Sequence, residues 1–169
     1  MSEMEPKKLG WKKDWAALFY LALVLIGFCV IGYDFWKIQH LNFQLYTIVV
    51  IGIVLICIGG ALRITSRMTL KKAGFSMVNS YKLQIVGGQR LITDGIYSRI
   101  RHPLYLGEMT RNLGFALLFS SLYGLIVMII ANIFLFYRIE IEEKMLIAEF
   151  GLEYEEYKKK TKKLIPHLY

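Results

Sequence analysis

Long uncharged runs separated by short charged intervals dominate the chain. The first runs from Trp15 to Tyr33, between Asp14 and Asp34, nineteen residues without a charge. As a helix it would cover roughly 28 Å, enough to cross the hydrocarbon layer of a bilayer. Lysines precede it, as in a signal peptide, but no small-x-small cleavage site follows, so it reads as a retained membrane helix. A second span fits Leu41 to Leu62 and ends at Arg63.

A polar region follows, residues 63 to 102, with Arg63, Arg67, Lys71, Lys72, Lys82, Arg90, Arg99 and Arg101. Within it "KLQIV-GG-QRLIT" reads as two short extended pieces joined at Gly87-Gly88, because paired glycines tolerate the positive φ of a tight hairpin turn. Between Arg111 and Arg138 lie twenty-six uncharged residues. They suit either one long tilted span of ~39 Å or a hairpin turning at "SSLYG", residues 120 to 124. Charge asymmetry decides. Lysine and arginine crowd the N-terminal tail, the 63–102 region and the C-terminal tail, whereas residues 34–42 and 120–124 hold one lysine between them. The positive-inside rule then puts both termini and the 63–102 segment in the cytoplasm, which requires an even number of crossings. Four spans satisfy it, with hairpin helices of roughly 16 residues, ~24 Å each, running from Pro103 to Arg138 and calling for local thinning or a partly re-entrant path.

Beyond Arg138, apolar residues at 141, 145, 146 and 150 repeat at helical spacing with charges on the other side. Gly151 fits a C-cap or kink, a very polar second helix follows, and Pro166 ends it. The predicted fold is an all-α integral membrane protein of about four transmembrane helices, including a C-terminal helical hairpin, with an amphipathic cytoplasmic tail on the membrane surface or over the basic segment. It is a single membrane domain over 1–169, with two N-terminal spans in 1–62 and a core in 63–169.

Composition narrows this further. Fifty-six percent of the residues are hydrophobic and the net charge is +8, but the basic residues are segregated rather than spread over a soluble face, which disfavours a nucleic-acid binder. The two cysteines, Cys29 and Cys57, lie inside apolar runs and read as small core or lipid-facing residues. No cysteine–histidine cluster has zinc spacing, so no metal is expected. GxGxxG, Walker, GxSxG and HExxH signatures are absent, so any nucleotide-like cofactor must sit among helix ends and cytoplasmic segments.

Three constellations could carry chemistry. In "RHPLY", Pro103 suits the first turn of a helix and biases His102 toward extended backbone, which places the imidazole where free N–H groups favour an anion. Equally, His102 could simply cap the helix while Tyr105 joins an aromatic belt at the membrane boundary. Arg138 and Glu142, four apart, share a helix face, with Glu143 about 100° around. They suit either a surface ion pair or the lining of a cavity. Glu108 and Arg111 lie inside the third span and pair with each other or with Arg138 or Glu142; a structural role fits them. His40 and His167 read as solvent or interface residues, and the aromatic residues of the spans as lipid-facing bulk.

The order of these pieces resembles the isoprenylcysteine carboxyl methyltransferase family of integral membrane enzymes, to which phospholipid N-methyltransferases are related. "GIYSRIRHPLYLGE", an apolar hairpin, then "EEKMLIAEFGLEYEEYKKKTKKLIP" match its G-x-Y-x-x-x-R-H-P-x-Y-x-G and E-E-x-x-L-x-x-x-F-G-x-E-Y-x-x-Y blocks over residues 82 to 166. The resemblance implies an S-adenosylmethionine site made by Gln84, Gln89, Arg90, Leu91, Ile92, Tyr97, His102, Pro103, Leu104, Tyr105 and Glu142. Arg138 would face the methyl acceptor, and Arg138, His102 and Glu142 would be the catalytic set. One departure is Gln89, where the family commonly has histidine. The residue types suit that cofactor. Glu142 can pair its ammonium, and His102 with the helix N-terminus can receive its carboxylate. The implied reaction is carboxyl O-methylation of an isoprenylcysteine-like or other lipophilic substrate drawn from the bilayer of the cell membrane. The alternatives are N-methylation of a phospholipid headgroup amine, a NADPH-dependent membrane reductase, or a non-catalytic membrane scaffold.

Overall fold

The computed structural model describes residues 15–38, 46–73 and 90–165. Among the described residues five α-helices form: α1 (Trp15–Ile38), α2 (Tyr46–Lys72), α3 (Pro103–Leu118), α4 (Leu122–Phe150) and α5 (Leu152–Lys160), with a 3-10 turn at Gly95–Ser98. Among the described residues no strand forms, and an isolated parallel bridge joins Ile100 to Lys162. Helices α1, α2 and α4 are long and apolar enough to cross a membrane. Their outward faces carry large apolar side chains such as Leu18, Phe19, Leu25, Ile53, Ile58, Ile126 and Ile133, as lipid-facing helices require. Cys29 and Cys57 are exposed there too. Helix α3 has 16 residues, ~24 Å, short of the ~30 Å hydrocarbon layer.

Helix α2 packs along α3 and α1 along α4, while α3 and α4 meet as a hairpin. Small residues let the α2–α3 backbones approach closely. A Cβ on Gly59 would lie 2.6 Å from the Gly107 carbonyl oxygen, and one on Gly114 would lie 2.9 Å from that of Gly52. In lipid, where no hydrophobic effect pulls helices together, close backbone contact of this kind is a principal source of association. Near the hairpin turn, Val24 and Ile31 of α1 bury against Ala116, Met128 and Ala131. Toward the other end, Met109, Leu135 and Ile139 close on Leu164, with Tyr20, Tyr105 and Leu106 packed around them.

The hairpin turns at Phe119–Ser121, overlapping only the start of the expected 120–124 turn, since Leu122–Gly124 already belong to α4. Ser121 caps α4 by accepting from the Gly124 N–H at 2.9 Å and donates to Asp34 Oδ2 of α1 at 2.5 Å.

Several element ends differ from the sequence expectation. The expected start of the second span at Leu41 lies outside the described residues, and helix α2 continues past Arg63 to Lys72, because Thr65, Ser66 and Thr69 satisfy their hydroxyls on carbonyls one turn back and so do not compete with the helix. Helix α4 does not stop at Arg138. It runs unbroken to Phe150 and ends at Gly151, whose φ of 53° suits glycine, and α5 follows directly. Helix α5 ends at Lys160, before Pro166. Of the expected glycine hairpin, residues 82–89 lie outside the described residues, and Arg90–Thr93 form no strand.

Candidate functional site

The candidate site is built where the segment before α3 meets the far end of α4. Gly95, at φ 59°, opens the 3-10 turn, where a Cβ would come within 3.0 Å of Thr69 Oγ1. The turn buries Tyr97, whose carbonyl accepts a hydrogen bond from Tyr157 Oη at 2.6 Å. Burial pushes the Tyr97 phenol well above its ordinary range. The Glu142 carboxylate pushes it the same way, while a hydrogen bond with Ser66 pulls it back. Burial likewise raises Tyr157, which therefore stays protonated and available as a donor.

After the turn the chain pairs with the C-terminal segment. The Arg101 N–H donates to the Lys162 carbonyl at 2.8 Å, the His102 N–H to the Lys163 carbonyl at 3.1 Å, and the Lys162 N–H to the Arg99 carbonyl at 3.1 Å. Pro103 then begins α3 at a position where its missing N–H costs nothing. His102 occupies the N-cap position without a side-chain capping bond, so its imidazole is free of the helix end.

That ring is 3 % exposed and sits between two acids of α4. Its Nε2 lies 3.2 Å from Glu143 Oε1, and its Nδ1 lies 4.0 Å from Glu142 Oε2. Adjacent helical residues diverge by about 100°, so one ring wedged between them meets a different acid at each nitrogen. Arg101 Nε donates to the same Glu143 Oε1 at 2.8 Å, and another Arg101 nitrogen donates to the Thr161 carbonyl at 2.6 Å. Tyr105, in the first turn of α3, lies beside the His102 ring, tilted 58° to it with centroids 5.9 Å apart. The buried Arg138 guanidinium lies 5.9 Å above the Tyr105 ring, a cation–π arrangement. Tyr105 thus faces the site rather than an outer aromatic belt.

Of the residues singled out in the sequence, Tyr97, His102, Pro103, Tyr105, Arg138 and Glu142 are gathered here, with Leu104 half-buried in the first turn of α3. Arg90 and Ile92 line a cleft of about 290 Å³ with Thr69, Lys72 and Asp94 at the end of α2, and Leu91 between them is half-buried. Gln84, Gln89, His40 and His167 lie outside the described residues. Glu108 pairs with Arg111 at 2.7 Å and also with Arg63. Tyr20 is no lipid-facing bulk residue. It donates to Glu108 Oε1 and accepts from Asn112 Nδ2, both at 2.9 Å.

The sequence reading gave no role in the site to Glu143, Arg101, Tyr157 or Leu164. The first two stood beside residues already singled out. Tyr157 is the final tyrosine of the E-Y-x-x-Y block, whereas no sequence signal marks Leu164, whose role depends on the C-terminal segment folding back.

A family model, phospholipid methyltransferase, matches residues 47–153. The chain belongs to this family. The resemblance to isoprenylcysteine carboxyl methyltransferases holds within it. The chain is 34% identical over 125 residues to a protein-S-isoprenylcysteine O-methyltransferase of Schizosaccharomyces pombe, covering 73% of this chain and 51% of that protein. It therefore spans about half the length of this fungal relative. A methanethiol S-methyltransferase of Bradyrhizobium diazoefficiens is 33% identical over 85 residues, 50% of this chain and 32% of that protein. Among solved structures, a eukaryotic intramembrane Ras methyltransferase, an isoprenylcysteine carboxyl methyltransferase, superposes with a TM-score of 0.63 at 23% identity, over 95% of this chain and 54% of that one. This family member accordingly shares the fold of a multi-pass membrane protein.

Proposed function

We propose that the protein is a membrane methyltransferase that uses S-adenosylmethionine to esterify a carboxylate on an isoprenylcysteine-like or other lipophilic acceptor. The observation that carries this reading is the His102 ring held between Glu142 and Glu143 directly beside the Tyr105–Arg138 pair. The residues present fit the cofactor. Glu142 Oε2 is buried without a hydrogen-bond partner, an acceptor awaiting a donor, as an ammonium group would supply. In the first turn of α3, the N–H groups of Leu104 and Tyr105 have no intrahelical acceptor and suit an α-carboxylate.

Bound S-adenosylmethionine supplies an electrophilic methyl carbon. Glu142 holds the ammonium end, and the α3 N-terminus holds the carboxylate end. Arg138, steadied by the Tyr105 ring, orients the acceptor carboxylate by charge-assisted hydrogen bonds. That carboxylate is already ionised at neutral pH, so no residue here has to take a proton. The side chains bind, align and exclude water, and alignment alone is worth ~7–11 kcal/mol in favourable cases.

The match to the phospholipid methyltransferase model favours a second reading, N-methylation of a headgroup amine. A protonated amine must first lose a proton, for which Glu142, Glu108 or His102 would serve. In either case we read four crossings, α3 included, with both termini and the site on the cytoplasmic side of the cell membrane, in accord with the segregated lysines and arginines.

The test gives the purified protein methyl-labelled S-adenosylmethionine, with prenylcysteine analogues in one arm and phospholipid vesicles in the other. A base-labile labelled product identifies an ester. A base-stable product in the phospholipid arm establishes the second reading instead. Absence of label in both arms rejects methyl transfer to either class.

A further inference from the structure

Glu143, adjacent to the acid assigned to the cofactor, makes the shorter contact with His102. It is 6 % exposed, and its Oε1 is shared between Arg101 Nε at 2.8 Å and His102 Nε2 at 3.2 Å. A carboxylate paired with a guanidinium can only accept hydrogen bonds. The His102 nitrogen that faces it must therefore be the donor, and the ring proton belongs on Nε2. In a neutral imidazole the other nitrogen, Nδ1, is then bare. Nδ1 faces Glu142 Oε2 at 4.0 Å, beyond hydrogen-bond reach, and that oxygen is buried with no partner. Two acceptors facing one another at this distance repel an incoming carboxylate and suit an N–H cation between or beside them.

We propose that Glu143 is a positioning residue that pins the His102 proton on Nε2, so that bare Nδ1 and Glu142 Oε2 together accept a cationic N–H group. This assigns His102 to the ammonium of the bound molecule, in place of the carboxylate-binding role inferred for it from sequence. The ligand's identity rests on the proposed function; the tautomer does not.

The device reaches into the C-terminal segment. Arg101 donates to the Thr161 carbonyl at 2.6 Å, and the backbone of Lys162 and Lys163 pairs with residues 99–102. Leu164, 3 % exposed, inserts against Met109, Leu135 and Ile139. This strap shields the Glu143–His102 contact from water, and a shielded hydrogen bond to a charged acceptor fixes a ring more firmly than a solvated one. Outer partners of this kind commonly set the tautomer of a ligand-binding histidine, and their loss weakens binding by roughly 10–100-fold at metal sites.

The experiment uses the full chain in micelles with ¹⁵N-labelled histidine, carrying His40→Gln and His167→Gln so that His102 is the one histidine signal. Ring ¹⁵N shifts report the tautomer without any ligand, and calorimetry with S-adenosylmethionine reports affinity. The parent should show one bare nitrogen, Nδ1. Glu143→Ala should redistribute the proton between the two nitrogens and weaken binding about tenfold or more. Glu143→Gln, whose amide oxygen still accepts from Nε2, should keep the parent tautomer and bind within about threefold. Should Glu143→Ala fail to fold because Arg101 is left buried and unpaired, Arg101→Leu/Glu143→Ala removes both charges and carries the same expectation. A parent ring protonated on Nδ1, or an unchanged tautomer in Glu143→Ala, overturns the proposal. If the tautomers behave as stated but the parent fails to bind S-adenosylmethionine, the positioning role stands and the cofactor assignment falls.

Discussion

Gly107 offers the sharpest test of how α3 is held. A methyl group there would lie 2.8 Å from the Gly59 carbonyl oxygen, 2.9 Å from Arg63 Cγ and 3.1 Å from Leu62 Cβ. Ordinary carbon contacts sit at about 3.5–4.0 Å, so the α2 and α3 backbones must part by ~0.7 Å or more in Gly107→Ala. The obstructing oxygen belongs to backbone and cannot swing aside. Overpacking of this kind costs about 1–3 kcal/mol, against which alanine's helix propensity returns up to ~1 kcal/mol. A net loss of ~1–2 kcal/mol is expected. Gly60 provides the control, since a Cβ there meets nothing within 4 Å. Gly60→Ala should therefore be neutral or mildly stabilising. Gly107 lies between Tyr105 and Glu108 on the first turns of α3, so displacement there also moves the candidate site. Thermal unfolding followed by helicity in detergent, with S-adenosylmethionine affinity measured on the same preparations, checks both effects. Equal stability and affinity for Gly107→Ala and Gly60→Ala would refute the close-packing account.

Arg138→Ala should raise the KM for a prenylcysteine acceptor about tenfold or more, while S-adenosylmethionine affinity stays within about threefold, in steady-state kinetics and calorimetry. The reverse pattern would remove Arg138 from the acceptor side. Glu142→Gln, which keeps shape and loses charge, should weaken cofactor binding about tenfold, ~1.4 kcal/mol, and unchanged binding would take Glu142 out of the site. Tyr20→Phe deletes the hydroxyl that links Asn112 to Glu108 and should lower unfolding stability by ~1–3 kcal/mol. An undiminished melting temperature would show that this network contributes nothing.

The membrane-crossing elements were legible because lipid demands long apolar runs, and α1, α2 and the hairpin follow them closely. Helix ends were not, because polar residues that leave the membrane can continue a helix as easily as end it. Thr65 and Ser66 do so through hydroxyl-to-carbonyl bonds that composition does not reveal. The glycine pairs were visible as letters only. Gly52 and Gly59 on α2 meet Gly114 and Gly107 on α3 in antiparallel order, and that register follows from which helices are neighbours. The choice between Glu142 and Glu143 shows the same limit. A helical wheel sends them about 100° apart, and only a ring seated between them makes both relevant. The C-terminal strap was least legible, because backbone groups of Arg101, Lys162 and Lys163 make the contacts and carry no residue-specific signal.

Depth along α4 bears on what kind of acceptor can be used. Counting from Leu122, ~30 Å of hydrocarbon is spent about 20 residues on, near residue 141. On the proposed four-crossing topology Glu142 then falls at the boundary, whereas Arg138 lies ~6 Å deeper. A guanidinium in that layer is costly unless it pairs or lines a cavity, and the Tyr105 ring offsets part of the cost. On the proposed function, the acceptor carboxylate that Arg138 orients arrives attached to something at home in lipid. Its tail then lies along the apolar surface of the helices, where each buried methylene is worth ~0.8 kcal/mol. Over short tails, shortening the acceptor by one methylene should raise KM about fourfold at constant kcat. A KM indifferent to tail length would mean that the acceptor reaches Arg138 from water, and the lateral route from the bilayer would be wrong.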